Sequence, residues 1–168
     1  KESGYGACQK NDQSPMNLAV FLDRARRRHP TRPAVALGEK VLTNYEQLGE
    51  KVARLASAIS SLAGGEKGVH VGLLMENTPA YLEVLFACWH AGCVAVPINS
   101  KLHPKESAHI LSESKSLLCF ATEAAAEQIE SHRPASLSYV IDVESADYKQ
   151  MLTSCEAPPE SRDPGDPA

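Results

Sequence analysis

Residues 69–99 read VHVGLLMENTPAYLEVLFACWHAGCVAVPIN. Val69–Leu74 is nearly all apolar, the pattern of a strand covered on both faces. Glu76-Asn77 makes a polar turn. Thr78-Pro79 then predicts a helix start, with Thr78 at the cap and proline at the first helical position, where its missing N–H is no loss. This helix extends to about His90 and is apolar nearly all round, which predicts deep burial. Gly92 stops it. Cys93–Pro97 is the next strand, closed by a proline that cannot donate to a ladder. Two buried strands joined by one helix form a βαβ unit and imply a parallel sheet. The apolar run Ala80–Ile98 could be mistaken for a bilayer span, but it carries Glu83, His90, Gly92 and Pro97. A helix that ends at a glycine and leads into a strand accounts for it better.

The same alternation continues on both sides. Upstream, Leu18, Phe21, Leu22 and Ala25 recur at helical spacing and predict an amphipathic helix of about 13 residues. Arg24, Arg26, Arg27 and Arg28 gather at its end, where cations complement the helix dipole. A solvated helix terminus and a phosphate or nucleic-acid patch are the two readings of that cluster. Ala34–Leu37 and Lys40–Thr43 flank Gly38-Glu39, a hairpin signal. Thr43-Asn44-Tyr45-Glu46 reads as a capping box with Thr43 as cap and Glu46 reaching back. A helix follows through Leu48, Val52, Leu55, Ala56, Ile59 and Leu62, ended by Gly64-Gly65. Downstream, His103-Pro104 opens a helix to about Ser114. Leu117–Thr122 reads as a strand, Glu123–His132 as a helix and Leu137–Ile141 as a strand. The expected fold is α/β, a three-layer sandwich about a mostly parallel sheet.

Domain organisation is read from composition along the chain. Residues 1–15 precede MNLAVFL and are taken as a tag or extension. Residues 16–148 form the α/β unit, and 149–168 are taken as a linker, rich in Pro, Asp and Glu from Ala157 onward.

Bulk properties narrow the function classes. The 168 residues are 43% apolar and 23% charged, ordinary for one globular domain with a real core. A net charge of −4 gives the chain as a whole nothing to recruit nucleic acid or an anionic membrane, and 5% aromatic content argues against base-stacking platforms. Five cysteines without a Cys-x-x-Cys pair, three of them inside apolar segments, point to a reducing, cytoplasmic setting. The six histidines lack metal-ligand spacing on any predicted helix, so no metal site is expected. Neither a transmembrane segment nor a secretory leader is read.

Chemical motifs are sparse. Gly64, Gly65 and Gly68 lie at a helix-to-strand turn, the wrong end of a helix for holding phosphate. The sequence contains no Gly-x-Gly-x-x-Gly, no Walker-type loop and no Gly-x-Ser-x-Gly elbow. This weighs against an unrelated nucleotide-binding doubly wound domain. Cys88 and His90, two apart on a helix, point in different directions.

Two ordered motifs carry a resemblance. Leu42-Thr43-Asn44-Tyr45-Glu46-Gln47-Leu48 is similar to a Leu-Thr/Ser-Tyr-x-Glu-Leu pattern, with one extra residue, Asn44, before the tyrosine. The stretch His90–Asn99, which contains AGCVAVPIN, is the second. Between them come Val71-Gly72-Leu73-Leu74 and Glu76-Asn77; after them, Asn99-Ser100-Lys101-Leu102 and Ile110-Leu111. Over about Met16 to Ile141 the chain resembles the AMP-forming acyl-CoA ligases of the adenylate-forming superfamily. The resemblance implies the N-terminal subdomain of that fold. It also implies a two-step reaction in which a carboxylic acid, in our reading a fatty acid, is activated by ATP as acyl-adenylate and passed to coenzyme A. ATP, Mg²⁺ and coenzyme A are implied for the whole enzyme. The family's Thr-Ser-Gly-Thr-Thr-Gly-x-Pro-Lys-Gly loop is not in the sequence, so the 168 residues alone are expected to bind no cofactor and to be inactive. Lys101 and His109 lie where relatives place basic residues near coenzyme A phosphates, and they are the candidate cofactor-binding residues; no catalytic residue is assigned. Lysine in place of arginine at 101 forgoes a bidentate phosphate contact. The alternative function is a stand-alone α/β binding or regulatory module derived from a ligase front half. Any apolar face left by truncation is a candidate dimer interface.

Overall fold

The computed structural model describes residues 17–153 together with Cys155 and Pro158. The proposed extension at 1–15 and most of the tail beyond 153 lie outside the described residues. The elements in order are α1 (Ala19–Arg28), β1 (Pro33–Leu37), β2 (Lys40–Asn44), α2 (Tyr45–Leu62), β3 (His70–Leu74), α3 (Pro79–His90), β4 (Val94–Pro97), α4 (Pro104–Glu113), β5 (Leu118–Ala121), α5 (Glu123–Glu130), β6 (Tyr139–Asp142) and α6 (Ala146–Met151).

β3 to β6 form one sheet in the order β4-β3-β5-β6, every pair parallel, and β1-β2 is a separate antiparallel hairpin. The step from β3 to β4 runs one way across the sheet, and the step from β4 to β5 runs back past β3. Right-handed crossovers in opposite directions must use opposite faces. α3 accordingly packs on one face and α4 on the other. Val71, Leu73, Leu118 and Phe120 meet the layer containing α1, α2, α3 and α6. Leu74, Cys119 and Ala121 meet α4 and α5 through Leu111, Ala126 and Ile129. The expected three-layer arrangement is observed.

Gly72 explains how closely α4 approaches. A Cβ there would lie 2.4 Å from Leu111 Cδ2 and 3.4 Å from Cys119 Sγ, so only hydrogen fits beneath that fully buried leucine.

Several local readings are corrected. The capping box that closes onto α2 uses Asn44 and Gln47, not Thr43 and Glu46: Gln47 N–H donates to Asn44 Oδ1 at 2.8 Å and Asn44 N–H to Gln47 Oε1 at 3.1 Å. The chain stays in β2 one residue longer because Asn44 pairs with Pro33. That leaves Thr43 in the strand, its hydroxyl buried without a partner. Thr78 caps α3 with its backbone alone, and its hydroxyl too has no partner. α1 spans 10 residues, and Leu18 and Phe21 are exposed while Ala19 and Leu22 are buried. The face of α1 that meets α2 and α3 is therefore rotated from the anticipated stripe. The cause is Asn17, whose side chain accepts from Ala19 N–H and donates to the Trp89 carbonyl, fixing how α1 enters. α6 was not anticipated. Ser145 Oγ accepts from Tyr148 N–H at its start, and the helix runs across the 148/149 division.

Candidate functional site

The carboxyl ends of β3 and β4 open onto a cleft of about 710 Å³. In open α/β sheets this end of the strands is where ligands bind. One wall is the β3–α3 turn, with Glu76, Asn77 and then Tyr81; the other is the segment Asn99, Ser100, Lys101 after β4. The sequence dictates this second wall. Pro97 ends the strand, Ile98 N–H still reaches the Leu73 carbonyl at 3.0 Å, and Ile98 is buried. Asn99 Oδ1 then accepts from Lys101 N–H at 3.0 Å, an Asx turn that swings Lys101 to the rim. His103 caps α4: its Nδ1 accepts from Lys105 N–H at 3.3 Å, and its own N–H donates to Glu106 Oε2 at 3.0 Å.

Of the two candidate residues, Lys101 lines the cleft and is exposed. His109 sits on the exposed side of α4, away from its buried Ser107 and Leu111, and does not line the cleft. The two are not brought together. Glu76 shares the cleft with Lys101, so the local charge is mixed. A single exposed lysine can meet one phosphate as a point charge. Among the described residues no phosphate cradle faces the cleft: Gly38, Gly64, Gly65, Gly68 and Gly92, the described glycines with positive φ, all sit in hairpin or helix-to-strand turns. Among the described residues no group of three or more His, Cys, Asp or Glu side chains could hold a metal ion.

A second polar cluster escaped the sequence reading. Glu83, in mid-α3, is buried at 5% exposure. Lys51 Nζ from α2 lies 2.6 Å from its Oε1, and the Tyr148 hydroxyl from α6 donates to its Oε2 at 2.8 Å. Burial, then the charge of Glu83, then the hydrogen bond to it, push the Tyr148 phenol well above its ordinary pKa. Phe120 meets the Tyr148 ring edge-on at 6.4 Å. The cluster ties three helices together, which makes it an anchor for α6. Its only sequence signal was a lone carboxylate inside an otherwise apolar helix. The Cys88 and Cys119 thiols are raised by burial, Cys119 to about 12, which removes them as thiolate nucleophiles. No helix among the described residues is long and apolar enough to cross a membrane.

With this geometry in view, the comparisons with known proteins are informative. A family model described as AMP-binding enzyme matches residues 22–168. A feruloyl-CoA synthase from an Amycolatopsis species is 42% identical over 106 residues, 63% of this chain and 21% of that protein. The fatty acid–[acyl-carrier-protein] ligase ScoC of Streptomyces coeruleorubidus is 41% identical over 91 residues, 54% of this chain and 17% of that protein. The chain thus spans about a fifth of the length of these relatives. Among solved structures, the N-terminal domain of FACL13 from Mycobacterium tuberculosis superposes with a TM-score of 0.79 at 24% identity, covering 90% of this chain and 40% of that one. That likeness speaks to the fold.

Proposed function

The chain belongs to the AMP-binding enzyme family, and on that premise we propose that it is the front portion of an AMP-forming acyl-CoA ligase. In that reaction a carboxylate attacks the α-phosphate of ATP, forming acyl-AMP and releasing pyrophosphate. The thiol of coenzyme A then displaces AMP to give the thioester. The observation carrying this reading is the family match over 22–168, supported by relatives whose names are those of carboxylate-activating enzymes. Our reading of the acid is a fatty acid, with aromatic acids such as ferulate as the competing class.

The described residues do not fit ATP with Mg²⁺, because among them neither a glycine-rich strand-to-helix loop nor a metal cluster stands at the cleft. No chemical step is therefore assigned to these side chains. They fit a lesser role. In this reading Lys101 contacts one phosphate of coenzyme A, which its exposure at the rim of the cleft supports, while the position of His109 off the cleft lends its assignment no support. The buried free thiols Cys88, Cys93 and Cys119 support a reducing, cytoplasmic setting. β6 is an edge strand with Tyr139 at 40% exposure beside a groove of about 490 Å³, and we read this edge as the dimer surface of the isolated chain.

ATP–pyrophosphate exchange with a panel of fatty and aromatic acids tests the proposal. The 168 residues alone should be inactive, and a longer polypeptide carrying the glycine-rich loop should be active. Exchange by the 168-residue chain would refute the inactivity. Failure of the longer polypeptide with every acid would refute the ligase reading. Lys101→Gln in the active protein should raise the KM for coenzyme A and leave the KM for ATP unchanged. Light scattering of Tyr139→Lys against the parent chain tests the dimer edge, which is wrong if both are monomers.

A further inference from the structure

We propose that the outward face of α1 docks on an anionic lipid surface. α1 has two opposed faces. Ala19 and Leu22, at 1% and 6% exposure, seat it on the core. Opposite them, Phe21 is 55% exposed and Leu18 36%, an unusual position for a phenylalanine. Leu18, Phe21, Arg24 and Arg28 fall on one stripe of the helix, and all four are exposed. Between Asn17 and Arg32 there are five arginines against one acidic residue, in a chain whose net charge is −4. The overall balance therefore conceals a local one of opposite sign. Arg27 is paired with Asp23 at 2.7 Å, but Arg24 and Arg28 make no ion pair among the described residues. The stripe is held rigidly, because Asn17 bonds both the first turn of α1 and the end of α3.

Charge complementarity selects the occupant. Two apolar side chains on one 10-residue helix are too little for a protein interface of ordinary size. A leucine and a phenylalanine level with flanking arginines is the pattern of a helix lying in a headgroup region. There the rings and methyls enter the acyl boundary, while arginine stems lie along it and their guanidinium groups meet lipid phosphates.

Co-sedimentation of the 168-residue chain with phosphatidylserine–phosphatidylcholine vesicles, and with pure phosphatidylcholine vesicles, is the test. Binding should require the anionic lipid and weaken with salt. Arg24→Gln/Arg28→Gln should lower the partition about 25-fold, at about fivefold per arginine. Phe21→Ala should lower it about tenfold. Arg24→Lys/Arg28→Lys should retain binding, and Lys115→Gln, a remote exposed cation, should leave it unchanged. All substituted side chains are exposed, and circular dichroism verifies that each variant is folded. Equal binding to both vesicle types, or no loss in both the arginine pair and Phe21→Ala, overturns the proposal. So does arginine-dependent binding of heparin without vesicle binding, which would mark a soluble-polyanion patch. So does a dimer abolished by Phe21→Ala, which would mean that a second copy covers the stripe.

Discussion

Replacing Tyr148 with phenylalanine isolates one buried hydrogen bond and predicts how its loss depends on pH. At pH 8 the variant keeps the ring packed on Phe120 but leaves Glu83 Oε2 buried without its donor, while Lys51 still holds Oε1 at 2.6 Å. A charge-assisted bond lost from a buried acceptor costs about 2 kcal/mol. The fold keeps the Tyr148 phenol protonated beyond its ordinary range, first through burial and then through Glu83. An unfolded tyrosine ionises near about pH 10. The folded pKa is the higher one, so this stabilisation is complete below about pH 10 and is lost as pH rises toward the folded value. The wild type should therefore lose about 0.8 kcal/mol by pH 10.5 that the variant cannot lose, and the gap between them should narrow by that amount. Cys88 and Cys119, also raised by burial, weaken both proteins from about pH 8.5 and cancel in the difference. Urea unfolding followed by the single tryptophan, Trp89, measures the gap at both pH values, with equal trimethylamine oxide to keep each protein folded. A gap under about 0.5 kcal/mol at pH 8, or one that does not narrow, would refute the reasoning.

Gly72→Ala should destabilise by about 1–3 kcal/mol, because its Cβ would lie 2.4 Å from Leu111 Cδ2. Leu111→Val added to it should cost less than the sum of the two single changes, and strict additivity in urea melts would contradict the contact. Asn44→Ala should cost about 1 kcal/mol through the lost cap. Thr43→Val should fall within about 0.5 kcal/mol of the parent or stabilise it, since its hydroxyl is buried without a partner; equal losses at 43 and 44 would restore the other capping assignment. Buried Cys88, Cys93 and Cys119 should react with a thiol reagent only as the chain opens, whereas exposed Cys155 should react at once. Modification of the three at the rate of Cys155 in native buffer would be inconsistent with the packing.

The sheet was readable because each of its strands is a short apolar run bounded by Gly, Pro or a polar turn, as Val69–Leu74 and Cys93–Pro97 are. Burial on both faces of the central strands β3 and β5 makes their runs the clearest. Boundaries set by pairing were less readable. Nothing local tells Asn44 from Thr43 as the cap; the partner Pro33, 11 positions upstream, decides it. α6 was missed because six residues with one buried tyrosine carry too little periodicity, and its docking depends on Glu83, 65 residues away. The cleft was half readable. Asn99 announces a turn and places Lys101, but the exposure of His109 on α4 depends on which side of that helix Gly72 admits, and that is a property of the sheet beneath it.

The two walls of the cleft follow neighbouring strands, β3 and β4, which pair in parallel and are connected through α3. Twelve residues of helix make a rod of about 18 Å that carries the chain from the β3 turn back to the start of β4, and the pairing of β4 with β3 then sets the Asn99 turn opposite it. Apart from Asn99, whose side chain makes the turn, residues can be exchanged in either loop with the mouth unchanged. A single insertion within the rod would turn the buried face carrying Val84, Ala87 and Cys88 by about 100° and set that packing against the β3–β4 register that aligns Asn99 with its opposite wall. Variation among homologous chains should therefore accumulate in what the loops display, while the length of this one helix stays constant.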